Sequence, residues 1–561
     1  MVPLLQRKIK ADPFILGGTF VVIAILVVFP LTLLFLNSFK FDGAYTLQNY
    51  ATVFQAKRNY TALFNSLKLG LFTSLFSILL GAPLAWLVTR TNLPFAKLFR
   101  TLFILPYMIP PFIGAIAWSQ LLNRRNGYIN RLIQSIFGIE GYVFNVNTMP
   151  GLIWVMTLYL YPFVFITVAG ALERMDPTLE EAARTCGSKT MKIMRDITLP
   201  LVAPSIAGGA LLVFASSIAN FGIPALVGMQ GRVFVLTTMI YSYMHSGGFN
   251  GIATASALSI MLMAISVGAL LINNFYLKKK QYTLISGKSM RPKTLDLGAW
   301  KIPCLIVAIA IVFVAVIMPF FSIGLTSLLD AWGADITWEN LTFRNYRYIL
   351  FEYKLTKDAL KNSFLLAISA ATICMVLGSL IAYISVKTKI RGRKALETIA
   401  QIPYTIPGTV VAIAMILAWS GNYGVNLYNT FWILLVAYVA HYVAFAVRTT
   451  SASLEQIHTS LEEAARISGG SWLTSLKDIV VPLIRPGLVA GWFLIFMPTL
   501  RELTMSILLW GPRTVTIGVA VFEMQEAGYV QISAAFATLL LLIVIAGNLL
   551  VKWLTRGKVG I

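Results

Sequence analysis

Residues that could do acid–base, nucleophilic or metal chemistry are sparse in this sequence, so their positions carry much of its meaning. Three cysteines (Cys186, Cys304, Cys374) and three histidines (His245, His441, His458) are scattered at spacings that suit neither a zinc site nor a disulfide framework. Packing or surface roles fit all six. One charged pair, Arg501-Glu502, lies deep in an apolar run just after Pro498. Ionisable groups at such depth are costly and face a bundle interior or a water-filled path. Adjacent residues on a helix do not face each other, so each needs a partner elsewhere. By position Asn220 is the counterpart of Glu502. Two readings stay open: Glu502 and Asn220 line or gate a path, or the pair is a structural ion pair holding two halves together. The sequence shows no catalytic dyad within the apolar runs, which argues against a membrane-embedded enzyme.

The densest polar chemistry lies in two stretches with one internal grammar. Leu179–Pro204 reads LEEAARTCGSKTMKIMRDITLPLVAP, and Leu461–Pro486 reads LEEAARISGGSWLTSLKDIVVPLIRP. Glu463, Gly469, Pro482 and Pro486 each stand 282 positions after Glu181, Gly187, Pro200 and Pro204. Each stretch is expected to form two short helices joined by a glycine. Asp176 can cap the first with Pro177 following it, and Thr459-Ser460-Leu461-Glu462 has a capping-box pattern. The carboxylate pairs Glu180/Glu181 and Glu462/Glu463 fall in the first turn, where the helix dipole favours negative charge. Ala182-Ala183 and Ala464-Ala465 leave a smooth face that another protein could approach. Gly187 and Gly469 suit a positive-φ turn. Met191, Met194 and Ile197, like Leu473, Leu476 and Ile479, predict an apolar stripe at helical spacing.

These loops sit in a chain of 561 residues that is 58% hydrophobic and 12% charged, with mean hydropathy +0.77. Such a composition excludes a soluble protein. Apolar runs of about 20 residues are long enough to cross a bilayer. The spans are expected near 14–38, 62–88, 101–122, 150–172, 201–228 and 250–277. A second set follows near 302–328, 362–386, 397–420, 430–450, 487–511 and 531–554. Barrel strands would show period-2 alternation, which is absent, so the fold class is an all-α polytopic membrane protein. The first run is too long for a signal-peptide core and reads as a retained span. The net charge of +23 invites a nucleic-acid reading. Lys and Arg concentrate in alternate connecting segments, however, beginning with the basic N-terminus. That is the positive-inside pattern, with both termini and the linker cytoplasmic and no nucleic-acid partner implied.

The repeat runs beyond the loops. Asn65-Ser66, Gly81, Pro106-Tyr107 and Pro110 recur as Asn362-Ser363, Gly378, Pro403-Tyr404 and Pro407, each 297 positions later. An insertion near Asn123–Asn147 in the first half, read as a short helix and loop outside the membrane, accounts for the shift in offset. The chain therefore divides into residues 1–277 with a loop at 173–200, a basic linker at 278–300, and residues 301–561 with a loop at 455–482. A transport path is expected between the halves, with Tyr107 and Tyr404 beside it. The proline breaks at 106–110 and 403–407 fit helix starts or moving segments. Ser286-Gly287-Lys288-Ser289 in the linker is no phosphate loop, because Tyr282 stands where the required glycine would be.

The paired loops resemble the EAA loops of type I ABC-importer permeases, the binding-protein-dependent inner-membrane class with a MetI-like transmembrane domain. The resemblance rests on Glu181, Ala182, Ala183 and Gly187 and on Glu463, Ala464, Ala465 and Gly469. It implies that the loops dock on a separate dimer of ABC ATPase subunits, which binds the ATP, so that the chain itself needs no cofactor. It also implies an extracytoplasmic solute-binding protein and a bacterial inner membrane with its lipid. Ile402–Gly408 (IPYTIPG) and Asn220–Leu226 (NFGIPAL) further resemble the fused permeases of iron(III) importers. Permeases for 2-aminoethylphosphonate share much of that wording, and those for polyamines, thiamine and sulfate are related more distantly. An ion-coupled secondary carrier is the rival class, and it would need an intramembrane proton or sodium relay.

Overall fold

In hydrocarbon a chain must satisfy its backbone polar groups internally, which for long apolar runs means helices. The computed structural model, which describes residues 13–176, 178–246, 248, 250–279 and 294–554, is helical almost throughout. Ten of its helices are long and apolar enough to cross a membrane. Two further stretches are bent pairs rather than single spans. Ala96–Met108 meets Pro111–Leu122 at 97°, and Arg393–Thr405 meets Gly408–Trp419 at 111°. The expected spans at 101–122 and 397–420 are corrected accordingly. Pro110 and Pro407 stand at the two corners, where a missing N–H and a fixed φ favour a break. The expected spans at 201–228 and 487–511 also end early, at Ala219 and Leu500. Each is followed by a break and a short helical turn, Pro224–Gly228 and Ser506–Leu509.

Each half is built on three packed helices. Lys57–Arg90, Met149–Arg174 and Leu199–Ala219 form the first trio, and Lys354–Lys387, Phe431–Glu455 and Val481–Leu500 the second. Small residues set the approach, as in membrane helix packing generally. A Cβ added at Gly81 would lie 2.8 Å from the Tyr161 carbonyl oxygen, and one at Gly378 would lie 2.4 Å from the Ala446 Cβ. Gly209 faces the Thr167 hydroxyl and Gly491 the Thr449 hydroxyl in the same way.

The halves are interlocked. Phe29–Ser38, in the first span, packs on its own half's Gly251–Lys279 and on Gly408–Trp419 of the other half. Met318–Leu328 repeats this, packing on Val530–Leu554 and on Pro111–Leu122. Phe29 meets Trp419 and Tyr423 edge-on, and Ser322 donates to Gln120 at 3.0 Å. The inserted segment forms the helix Tyr128–Phe137, whose Arg131 reaches the carbonyls of Gly333 and Ala334 and the Asp335 carboxylate. Residues 280–293 of the linker, with Ser286–Ser289, lie outside the described residues. Its end is placed: Leu295 exchanges backbone hydrogen bonds with Arg90 and Asn92 beside the first polar loop.

Candidate coupling loops and path

The two polar loops fold alike. The first is the helix Thr178–Thr185, a turn at Gly187, and the short helix Thr190–Ile193. The second is Thr459–Ile467, a turn at Gly469, and Trp472–Ser475. Gly187 has φ +80° and Gly469 has φ +84°, a left-handed conformation in which a side chain would be strained. The amide of Ser188 donates to Ala183 and that of Gly470 to Ala465, so both helices end in the same six-to-one closure.

Their N-termini differ. Asp176 accepts from the amide and hydroxyl of Thr178, and the amide hydrogen bond holds its carboxyl below the usual carboxylate range. Pro177, expected next to it, lies outside the described residues. In the second loop the corresponding position is His458, whose Nδ1 accepts from the Ser460 amide at 3.3 Å. The Thr459 side chain of the expected capping box lies outside the described residues, and its other member, Glu462, turns inward.

That inward turn separates the members of each carboxylate pair. Glu181 and Glu463 are exposed, as are Ala182 and Ala464, with Ala183 and Ala465 half-buried beside them. Glu180 and Glu462 are only 7% and 5% exposed. Glu180 lies 4.0 Å from the Arg90 guanidinium and accepts from the Thr198 hydroxyl at 2.8 Å. Glu462 lies 3.1 Å from the Lys387 ammonium and accepts from the Tyr383 hydroxyl at 3.3 Å. Sequence reasoning missed Arg90 and Lys387. The signal was available, since both end a long apolar helix and they stand at the 297 offset of the repeat. The stripe expected after the turn is also corrected. Ile193 and Thr198 face inward while Met191 is 78% exposed, and the helix then passes into a π-turn at Met194–Thr198. The second loop has the same π-turn at Leu476–Val480.

Between the halves, Asn220, Tyr442, Arg501, Glu502 and Thr504 line a cavity of about 150 Å³. The structure shows no ion pair between Arg501 and Glu502 among the described residues. The Arg501 guanidinium donates to the carbonyl of Met108, at the corner of the first bent pair. This contact crosses from one half to the other. Glu502 folds back to accept from the amides of Met505 and Ser506 and from the Ser506 hydroxyl. Asn220 does the same for Ile223, at 3.0 Å. Both residues therefore cap the short turn that follows each break. Tyr107 and Tyr404 do not line this cavity; they meet Phe163 and Phe445 edge-on, at 4.7 and 4.6 Å between ring centres. No group of three or more His, Cys, Asp or Glu close enough to hold a metal occurs among the described residues.

Two interlocked, repeated helical halves with a small polar cavity between them and matched polar loops at one end define a membrane transporter of the permease type. The family described as binding-protein-dependent transport system inner membrane component matches this chain twice, over residues 77–280 and 374–559. The chain belongs to that family. It is a multi-pass inner-membrane permease component, a transport subunit. Among its relatives, the ferric transport system permease protein FbpB of Actinobacillus pleuropneumoniae is 27% identical, over 98% of this chain and 79% of that protein. The putative ferric transport system permease protein FbpB 1 of Haemophilus influenzae is 28% identical over 90% and 79%. A crystal structure of a bacterial alginate ABC transporter in complex with an alginate pentasaccharide-bound periplasmic protein is similar at TM-score 0.40 and 22% identity, covering 49% of this chain and 95% of the matched chain.

Proposed function

We propose that the chain is the permease of an ATP-driven ferric iron importer, with its two polar loops gripped by a separate dimer of ATPase subunits. The observation that carries the coupling role is the duplicated loop geometry. Exposed Glu181 and Glu463 stand beside a small-residue face and ahead of a left-handed glycine turn, twice, in the same frame. ATP would bind the partner subunits, and the chain would need no cofactor of its own. The loops, the basic linker and both termini would face the cytoplasm, leaving the opposite end for a solute-binding protein. Ferric iron as cargo is supported by the relatives named for ferric transport. A path that must release its cargo needs no tight chelate.

In the mechanism, closure of the ATPase dimer draws the two loops together and tips the interlocked halves about the cavity at Asn220 and Glu502. Arg501, bridging to Met108, is then the contact that must break and re-form in each cycle. The test is uptake of radiolabelled ferric citrate by cells carrying this chain together with an ABC ATPase and a ferric-binding protein. Reversing both exposed charges (E181K with E463K) is expected to abolish co-purification of the ATPase and to cut uptake at least tenfold. Normal uptake would overturn the coupling reading. Uptake of a phosphonate in place of iron would overturn the substrate alone.

A further inference from the structure

The buried member of each carboxylate pair has no role in gripping a partner, yet the structure builds it twice. We propose that Glu180–Arg90 and Glu462–Lys387 are positioning ion pairs through which loop movement is passed to the long helices and, at their far ends, to the cavity-lining residues. The inference rests on the coupling role proposed above and extends it to residues buried behind the exposed face of each loop.

Three observations support it. The first is duplication across two different repeat offsets. The cations recur 297 positions apart and the carboxylates 282 apart, yet each pair is brought together. The cation changes from Arg to Lys and the auxiliary donor from Thr198 to Tyr383, while the buried carboxylate keeps its place. A buried ion pair is weak evidence for stability, because desolvation offsets the attraction; fixing one arrangement is its better-attested use.

The second observation is what the cations belong to. Arg90 ends the helix Lys57–Arg90, and Lys387 ends Lys354–Lys387. Between Ser66 and Arg90 the first helix runs roughly 36 Å at 1.5 Å per residue, enough to cross the hydrocarbon core. Lys387 also donates to the carbonyl of Ile457, just before the second loop, at 2.9 Å.

The third is what waits at the other end. The Ser66 hydroxyl accepts from the Leu236 amide at 2.8 Å, and Asn65 donates to the Phe234 carbonyl. The neighbouring Thr237 donates to the Asn220 carbonyl at 2.9 Å, and Asn220 lines the cavity. In the second half Ser363 accepts from the Ile517 amide at 2.8 Å, and the next residue, Gly518, lies against the backbone of Glu502. The repeated Asn-Ser pair thus fastens each long helix to the segment beside the path. A continuous helix held at both ends by ion pairs and hydrogen bonds is a physical link between loop and cavity; intermediacy alone would not be.

The test uses the complete transporter, chain with ATPase and binding protein, in proteoliposomes, and reads ferric iron moved per ATP hydrolysed. R90Q and K387Q are expected to keep the ATPase bound and hydrolysing while iron moved per ATP falls at least tenfold. R90K and K387R should recover most of it, and the swap R90E with E180R should recover part. A nitroxide on the exposed Cys186 should become more mobile in R90Q and not in R90K. Unchanged stoichiometry in R90Q and K387Q would overturn the proposal. So would loss of the ATPase from R90Q without rescue by R90K or by the swap, since the pair would then only hold the fold. Failure of the unmodified chain to bind any ATPase would instead sink the reading on which the proposal rests.

Discussion

The two coupling loops reach one geometry by different chemistry. In the first, a guanidinium stands 4.0 Å from Glu180 and a threonine hydroxyl supplies the close hydrogen bond. In the second, an ammonium at 3.1 Å supplies the close contact to Glu462, and a tyrosine assists. One helix is capped by an aspartate, the other by an imidazole. Shared across both are a carboxylate buried in the first turn, an exposed one after it, two alanines and a glycine at positive φ. The difference teaches that the loops are constrained by where a carboxylate and a turn must stand, and that the supporting groups are free to vary.

The comparison breaks most sharply at the cations. K387M leaves Glu462 buried with the Tyr383 hydroxyl at 3.3 Å, whereas R90M leaves Glu180 with the Thr198 hydroxyl at 2.8 Å. Removing one partner of a buried pair costs about 3–5 kcal/mol, and the full cost is expected for K387M and a smaller one for R90M. Amide hydrogen exchange over 459–467 and 178–185 checks the order. Equal loss of protection in both loops would mean that Thr198 contributes nothing.

The next effect tests whether the halves pack equally tightly. G378A places a methyl 2.4 Å from the Ala446 Cβ and 3.0 Å from the Val447 nitrogen, and G81A places one 2.8 Å from a backbone oxygen. Neither neighbour is the end of a flexible side chain, so the helices must separate. Overpacking of this kind costs about 1–3 kcal/mol. Both variants should lower the unfolding temperature of the detergent-purified protein, G378A the more. The glycine turns should behave alike: at Gly187 and Gly469 there is open space for a Cβ but a left-handed φ, so alanine costs about 1–2 kcal/mol at either. Unequal effects of G187A and G469A on loop protection would show that the turns are not equivalent.

Much of this was legible because hydrocarbon leaves the chain few choices. Apolar run length gave the spans, and the recurrence of Glu181, Gly187 and Pro200 gave the repeat and its loops. The bends escaped because Pro110 and Pro407 look the same in sequence whether they start a helix or turn it by a right angle. The division of labour between Glu180 and Glu181 escaped as well. Which of two adjacent carboxylates points inward depends on a cation that is distant in sequence, Arg90 or Lys387. Arg501 and Glu502 called for separate partners, and the structure supplies them, a carbonyl across the interface and a local cap. The Met108 carbonyl and the Met505 and Ser506 amides were not readable, since backbone groups have no letter in the sequence.

The smallest effect sharpens the comparison at the caps. Asp176 and His458 occupy equivalent positions and accept equivalent amides, but only one of them is anionic. A negative charge at a helix N-terminus interacts favourably with the dipole as well as capping it. H458D should therefore raise protection of the second loop helix slightly, H458A should lower it, and D176A should lower the first. The pH dependence has a fixed sign. Because the Asp176 carboxyl is held below its ordinary value, its contribution is present above the unfolded carboxyl's range, near pH 3.9, and is lost only as pH falls through the lower folded value. Between pH 5 and 8 the first cap should thus be flat. A first-loop protection profile that changes within that window would show that Asp176 is not the group holding the helix start.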